Sequence, residues 1–267
     1  MWDTLVRSLY AAGHTLVVGG IERMLFRGHL LGSQLPPVPT SDAKRRHPII
    51  LLHGYGDEAF GQEDLARSLR RDGWTVYVFG SPMRGLTGVE DATRALTELV
   101  DRVRAETGAE KVDLVGHSQG GVIARWYVKF GAGARTVARV VSLSSPHHGL
   151  HAWFNGPIQA ALGSQAWRSL IPVGLEELLT GSSLLAKLNA GDETPGDVEW
   201  TSIYAADFDG VVHPDSAHLD GARNIELRAP RSQSNGIGSR PGPHHFMVNH
   251  YSEEMYAALR AALLGRR

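Results

Sequence analysis

The stretch KVDLVGHSQGG, Lys111 to Gly121, runs from apolar and β-branched positions straight into a serine held between glycines. Gly116 and Gly120 stand two residues before and two after Ser118. This G-x-S-x-G spacing belongs to a sharp strand-to-helix turn in which side chains at the flanking positions would collide. Such a turn lifts the serine hydroxyl clear of the sheet edge. The following run, QGGVIARWYVKF, reads as a helix whose N-terminal amides aim back at the same point, so the Gln119 backbone N–H is placed to stabilise an oxyanion. The spacing also arises by chance as a plain glycine-rich turn, so its weight depends on what surrounds it.

Working outward, short apolar runs recur: IILLHG (Ile49 to Gly54), WTVYVFG (Trp74 to Gly80), RVVSLSS (Arg139 to Ser145), EWTSIYAAD (Glu199 to Asp207) and NIELRA (Asn224 to Ala229). They lack strict alternation, as strands covered on both faces do. Helical patterns separate them at Glu63 to Gly73, Val89 to Gly108 and Gln119 to Gly131, each ending at a glycine suited to a left-handed C-cap. In the second, Ala92, Leu96, Leu99, Val100 and Val103 fall on one face. Alternating strands and helices predict an α/β fold with a mostly parallel central sheet and helices on both faces.

Two regions stand outside that alternation. Residues 1–47 read as an N-terminal helix followed by a proline-rich connector, LPPVPTSDAKRRHP, packed on a core domain of residues 48–267. About 151–195, the alternation breaks and Trp153, Phe154, Trp167, Leu170 and Ile171 appear, which reads as a lid-like insertion over one end of the sheet.

Composition narrows the function classes. Among 267 residues, 27 are Lys or Arg and 28 are Asp or Glu, a formal net charge of -1, so no global field draws the chain to nucleic acid or anionic membrane. The basic KRRH, Lys44 to His47, lacks interleaved aromatics and reads as a solvated linker. With 42% hydrophobic residues a sizeable core can form. No cysteine is present, which excludes disulfides and thiolate metal sites. The weakly apolar run Ser8 to Ile21 reads as an amphipathic helix rather than a signal core, because Asp3 precedes it, His14 interrupts it and Glu22 and Arg23 follow. No run approaches the roughly 20 apolar residues of a membrane span. These features favour a soluble, cytoplasmic protein over a secreted one.

Acyl transfer by a serine needs a base and an acid that orients it, in the order Ser, Asp, His on this kind of sheet. YAADFDGVVHP holds Asp207 and Asp209 after a strand, and PGPHHFMVNH holds His244, His245 and His250 before the last helix. Asp209 is preferred because it opens a turn. His245 is preferred on loop position, with His244 and His250 as alternatives. LLHGYGD sets Tyr55 just after the first core strand, where a second backbone N–H would face the nucleophile. Of the 13 histidines, His147, His148 and His151 with His213 and His218 could be read as metal ligands, but no carboxylate stands at ligand spacing with the first cluster. The expectation is no metal and no cofactor.

Taken together, HGYGD, TGAEKVDLVGHSQGGVIARWYVKF, SLSSPHHG, GSSLLAKLN, YAADFDGVVHPDSAHLDGARNIEL and a late histidine resemble the bacterial triacylglycerol lipases and esterases of the α/β-hydrolase superfamily. The resemblance implies an α/β-hydrolase fold, Ser118 as nucleophile, Asp209 and a late histidine as its partners, and the amides of Tyr55 and Gln119 as oxyanion hole. It implies a small-molecule ester or lipid substrate, with transient contact to a lipid interface. Secreted members commonly carry cysteines, which this chain lacks. A thioesterase or a polyester-cleaving hydrolase would use the same machinery with a different pocket, and a non-catalytic binding protein could keep the fold alone.

Overall fold

A computed structural model of the chain describes residues 47–57, 59–150, 170–206, 211–228 and 253–265, with Leu35, Val38, Ala160, Gly163 and Asp209 as single positions. The expected N-terminal helix and most of the connector lie outside them. Within the described residues a six-stranded sheet runs β2-β1-β3-β4-β5-β6. Its strands are β1 (Ile49–Leu52), β2 (Val76–Phe79), β3 (Val112–His117), β4 (Val137–Leu143), β5 (Glu199–Ala205) and β6 (Arg223–Leu227). Every pairing between them is parallel. Among the described residues eight α-helical segments accompany them, besides two 3-10 segments at Ala59–Gln62 and Pro82–Gly85: α1 (Glu63–Arg71), α2 (Val89–Thr107), α3 (Gln119–Phe130), α4 (Gly133–Thr136), α5 (Val173–Glu176), α6 (Ser183–Asn189), α7 (Pro214–Ala217) and α8 (Glu253–Leu263).

The missing alternation in the strands has a direct cause. Successive side chains of a strand point to opposite faces, and here both faces are covered. Ile50 and Leu52 of β1 join Leu96 and Val100 of α2 and Ile123 of α3. Ile49 and Leu51 join Leu65 and Leu69 of α1 with Met255 and Leu259 of α8. Each β1 side chain is fully buried. Helix α3 lies so deep that every residue from Gln119 to Val128 is buried, which explains why its sequence is apolar nearly all round.

Two expectations are refined. Gly108 ends α2 in the left-handed region at φ 70°, as expected, but Gly131 after α3 is extended at φ -107° and ψ -151°. A Cβ on Gly131 would lie 2.7 Å from the Tyr127 carbonyl oxygen, so glycine is needed there for close approach and not for handedness. In the 151–195 segment, Leu178, Leu179, Leu184, Leu185 and Leu188 are buried in the α2–α3 core, while Leu170 is exposed. The end of that segment is therefore core; Trp153, Phe154 and Trp167 lie outside the described residues.

Helix α2 begins at Gly88, which has no side chain to cap it. The carboxylate of Glu177 does so from a distance, its Oε2 accepting the Val89 N–H at 2.7 Å. Burial pushes the Glu177 carboxyl above its ordinary range, against the pull of that amide, and the nearby charges of Glu90, Asp91 and Glu176 push the same way. A carboxyl raised in the folded state is most favourable when protonated, so its contribution to stability falls as pH rises through the folded value. Glu177→Gln keeps an acceptor for Val89 without the charge. Its melting temperature is expected to equal or exceed that of the wild type at pH 8, with the difference vanishing below about pH 4, where both carboxyl states are protonated. Thermal melts at the two pH values check this, and a variant less stable at pH 8 would contradict it.

At the C-terminus, the Tyr256 hydroxyl donates to Asp72 Oδ2 at 3.0 Å and Arg260 pairs with the same oxygen at 3.4 Å. Burial and the Asp72 charge raise the Tyr256 phenol, keeping it protonated as the donor. These contacts pin α8 to the end of α1. Just past α8, Gly265 lies beside the Arg139 guanidinium, near the start of β4.

Candidate active site

Strand order decides where the site lies. The chain steps from β1 outward to β2, then returns to place β3 on the other side of β1. The loops after β1 and β3 therefore leave in opposite directions and open a crevice at the carboxyl edge, where ligands of open α/β sheets bind. HGYG follows β1 and Ser118 follows β3, so both stand at this switch point.

Ser118 adopts φ 51° and ψ -121°, a conformation that residues with side chains rarely hold. Two hydrogen bonds hold its backbone: the Ser118 N–H donates to the Leu143 carbonyl at the end of β4, and the Gly121 N–H donates to Ser118 O. The flanking glycines are dictated by contact. A Cβ on Gly116 would lie 2.4 Å from Gly120 C, and one on Gly120 would lie 2.4 Å from Leu52 O. The elbow is thus wedged against β1, and Gly54 of the HGYG turn lies directly over Ser118, its Cβ position 3.1 Å from Ser118 Cβ.

The turn after β1 is held by a residue that the sequence did not single out. Ser81 N–H donates to His53 Nε2 at 3.0 Å, so Nε2 is the acceptor and the proton sits on Nδ1, which donates to Gly54 O at 2.8 Å. The buried imidazole bridges the β1 turn to the end of β2. It thereby sets the path of the backbone that carries the Tyr55 N–H. Gln119 opens α3, where the first amides have no acceptor within the helix.

Asp209 is buried beyond the end of β5, two strands from β3 along the same edge. Its Oδ1 accepts the N–H groups of Val211 and Val212, each at 2.9 Å, which fixes the plane of the carboxylate. Asp207, its competitor, lies outside the described residues, as do His244, His245 and His250. The chain carrying those histidines joins the end of β6 to the start of α8. Ser118, Tyr55, Gln119 and Asp209 thus share one edge of the sheet.

Histidines once open to a metal reading have other partners. His147 is fully buried and burial drives its imidazole well below the usual range, with Arg125 and His148 adding to the effect. Ser142 donates its hydroxyl to Thr201 O, so His147 Nε2 donates to Ser142 Oγ at 2.9 Å. His148 Nε2 meets Glu193 Oε1 at 3.0 Å, and His213 caps the short helix α7 by accepting the Asp215 N–H. His151 is outside the described residues. Among the described residues, no three His, Asp or Glu side chains gather to hold a metal ion. An open cavity of about 450 Å³ lies beyond β4, between His148, Leu150, Thr180 and His213. Ser118 is not among its described walls.

Residues 47–198, more than half of the chain, match the family described as the alpha/beta hydrolase fold. The chain belongs to the α/β-hydrolase family. Its similarity to a triacylglycerol lipase of Vibrio cholerae is 28% identity over 197 residues, covering 72% of this chain and 60% of that protein. A triacylglycerol lipase of Pseudarthrobacter phenanthrenivorans is 34% identical over 114 residues, 40% of this chain and 35% of the relative. The chain therefore spans less than two thirds of these relatives' length. Among solved structures, lipase BlEst2 of Bacillus licheniformis in mature form superposes with a TM-score of 0.61 at 18% identity, covering 86% of this chain and 94% of that one. Lipase B of Aspergillus fumigatus gives 0.64 at 20% identity, over 85% and 55% of the two chains. These two likenesses concern the fold. The expected fold class, a parallel sheet with helices on both faces, is that of an α/β hydrolase.

Proposed function

We propose that this α/β hydrolase is a serine carboxyl-ester hydrolase of the lipase and esterase type, cleaving lipid-like or medium-chain acyl esters. One observation carries the reading: Ser118 is held at φ 51° at the switch point of the sheet, a costly backbone conformation that an ordinary link between a strand and a helix does not require. The curated relatives named as triacylglycerol lipases support an ester of fatty acid as substrate.

In this mechanism Ser118 Oγ attacks the ester carbonyl while His245 takes its proton, and Asp209 holds the imidazole in the productive tautomer. The oxyanion accepts hydrogen bonds from the Tyr55 and Gln119 amides, which are already oriented and need no reorganisation as charge develops. His245 then protonates the departing alcohol, and water, activated by the same imidazole, cleaves the acyl-enzyme. No cofactor enters the cycle.

Residues 48–267 form the hydrolase domain in this reading, residues 1–47 pack on it, and the segment about 151–195 supplies a cover. Leu178, Leu179, Leu184, Leu185 and Leu188 anchor the end of that segment in the core, and the cover in this reading is the part with Trp153 and Phe154. The test combines covalent labelling by a p-nitrophenyl phosphonate, with the adduct mapped to Ser118, and an acyl-chain series. The double variant Trp153→Ser with Phe154→Ser is expected to lose about tenfold or more on long-chain esters and little on acetate, with its melting temperature preserved. Equal losses on both chain lengths, or unfolding, would make the segment core and refute the cover.

A further inference from the structure

The loop after β2, Pro82 to Leu86, is the least expected conformation in the fold. Met83 and Arg84 are left-handed at φ 46° and 60°, and Gly85 follows at φ 81°. Two consecutive left-handed residues with side chains are not a low-energy turn, and they persist only where the surroundings over-determine them. The surroundings here are three successive carbonyls with three different donors. Arg84 O accepts the Gly56 N–H at 2.8 Å, Gly85 O accepts Gln119 Nε2 at 3.0 Å, and Leu86 O accepts the Gly174 N–H at 3.1 Å. One short loop thus ties together the turn after β1, the residue after Ser118 and the start of α5.

The Gln119 side chain is the centre of this junction. It is fully buried, and its Nε2 donates a second hydrogen bond to Gly174 O at 3.3 Å. Both facing groups are carbonyl oxygens, so the donor end of the carboxamide must be the one turned toward them. The consequence is that Oε1 is buried with no hydrogen-bond partner among the described residues. A buried acceptor in this state calls for an explanation. There is no slack around it. A Cβ on Gly85 would lie 2.0 Å from Gln119 Oε1, and a Cβ on Gly174 would lie 1.9 Å from Gly85 O.

We infer that the Gln119 carboxamide is a positioning residue for the oxyanion hole: it clamps the Pro82–Leu86 loop and the start of α5 against α3, and so holds the Gln119 and Tyr55 amides in one mutual geometry. The Gln119 amide belongs to the clamped residue itself. The Tyr55 amide is adjacent to Gly56, whose N–H is held by Arg84 of the clamped loop. The inference rests on the serine-hydrolase reading, because it concerns the donors that reading assigns.

The clamp makes no contact with substrate in this reading, so its loss should affect the tetrahedral state more than ground-state binding. Gln119→Met keeps length and bulk but donates nothing. On a soluble short-chain p-nitrophenyl ester its kcat is expected to fall about 100-fold, the scale set by a misplaced oxyanion donor, with KM within about twofold. Affinity for an alkyl boronic acid, which mimics the tetrahedral state on the serine, should fall by the same factor. Gln119→Glu adds a readout that packing alone would not produce. Protonated, its carboxyl can donate to Gly85 O; ionised, it opposes two carbonyls. The ratio of its kcat to that of the wild type is therefore expected to rise about tenfold or more between pH 9 and pH 6, and this second variant serves if Gln119→Met does not fold. Wild-type protein that is not labelled by the phosphonate at Ser118 would overturn the hydrolase reading and the clamp with it. Normal labelling with wild-type kcat in Gln119→Met, or a pH-independent ratio in Gln119→Glu, would overturn the clamp alone.

Discussion

Ser118→Ala is expected to lower turnover of a soluble ester by about five to six orders of magnitude, leaving the fold and melting temperature close to those of the wild type. The loss is large because nucleophile, base and acid act as a unit, and removing the attacking oxygen leaves only the oxyanion donors and binding to stabilise the transition state. Stability should change little because alanine inherits the same φ of 51° and the same backbone bonds to Leu143 and Gly121, and only a small hydroxyl is removed. Initial rates on purified protein with a thermal melt of the same sample check both halves. Activity within tenfold of the wild type would exclude Ser118 as the nucleophile.

The second large effect concerns the partners of Ser118. Asp209→Asn is expected to cost about 10⁴ in kcat, since an amide can still accept from Val211 and Val212 but no longer holds the imidazole in the tautomer that takes the serine proton. Asp207→Asn should cost far less. In the same assay, alanine at His245 should be as damaging as Asp209→Asn, with alanine at His244 or His250 milder. If His244→Ala is the inactive variant, the triad stands with a different histidine. If Asp207→Asn is the inactive one, the two amide bonds to Asp209 are those of a turn and nothing more.

Much of the molecule is determined by short stretches read alone. Apolar runs such as Ile49 to Leu52 can only be strands buried on both faces or fragments of a buried helix, and their alternation with helices as long as Val89 to Thr107 leaves a parallel sheet as the economical solution. The elbow is local for the same kind of reason. Gly116 and Gly120 are required by contacts four residues apart, with Leu52 of the adjoining strand as the wall, so a spacing rule along the chain records the clash. The C-cap at Gly131 marks the limit of that approach. Its glycine answers a collision with Tyr127 O, and composition cannot tell that from a left-handed turn.

What only the tertiary structure decided are contacts between segments far apart in sequence. Strand order β2-β1-β3 puts HGYG and Ser118 at one crevice, and no pattern along the chain states that order. The bridge from His53 to Ser81, the cap of Glu177 on Val89, and the junction of Gly85, Gln119 and Gly174 span 28, 88 and 34 to 55 residues. Each is one hydrogen bond or two, too specific in direction to leave a periodic trace and too weak singly to select a residue type that would stand out. Neither the His53 nor the Glu177 side chain stands out in the sequence, and Gln119 does so only through its backbone N–H. Packing of the strands and helices brings those groups within 3 Å or so, and only then does the donor or acceptor character of each side chain acquire its role.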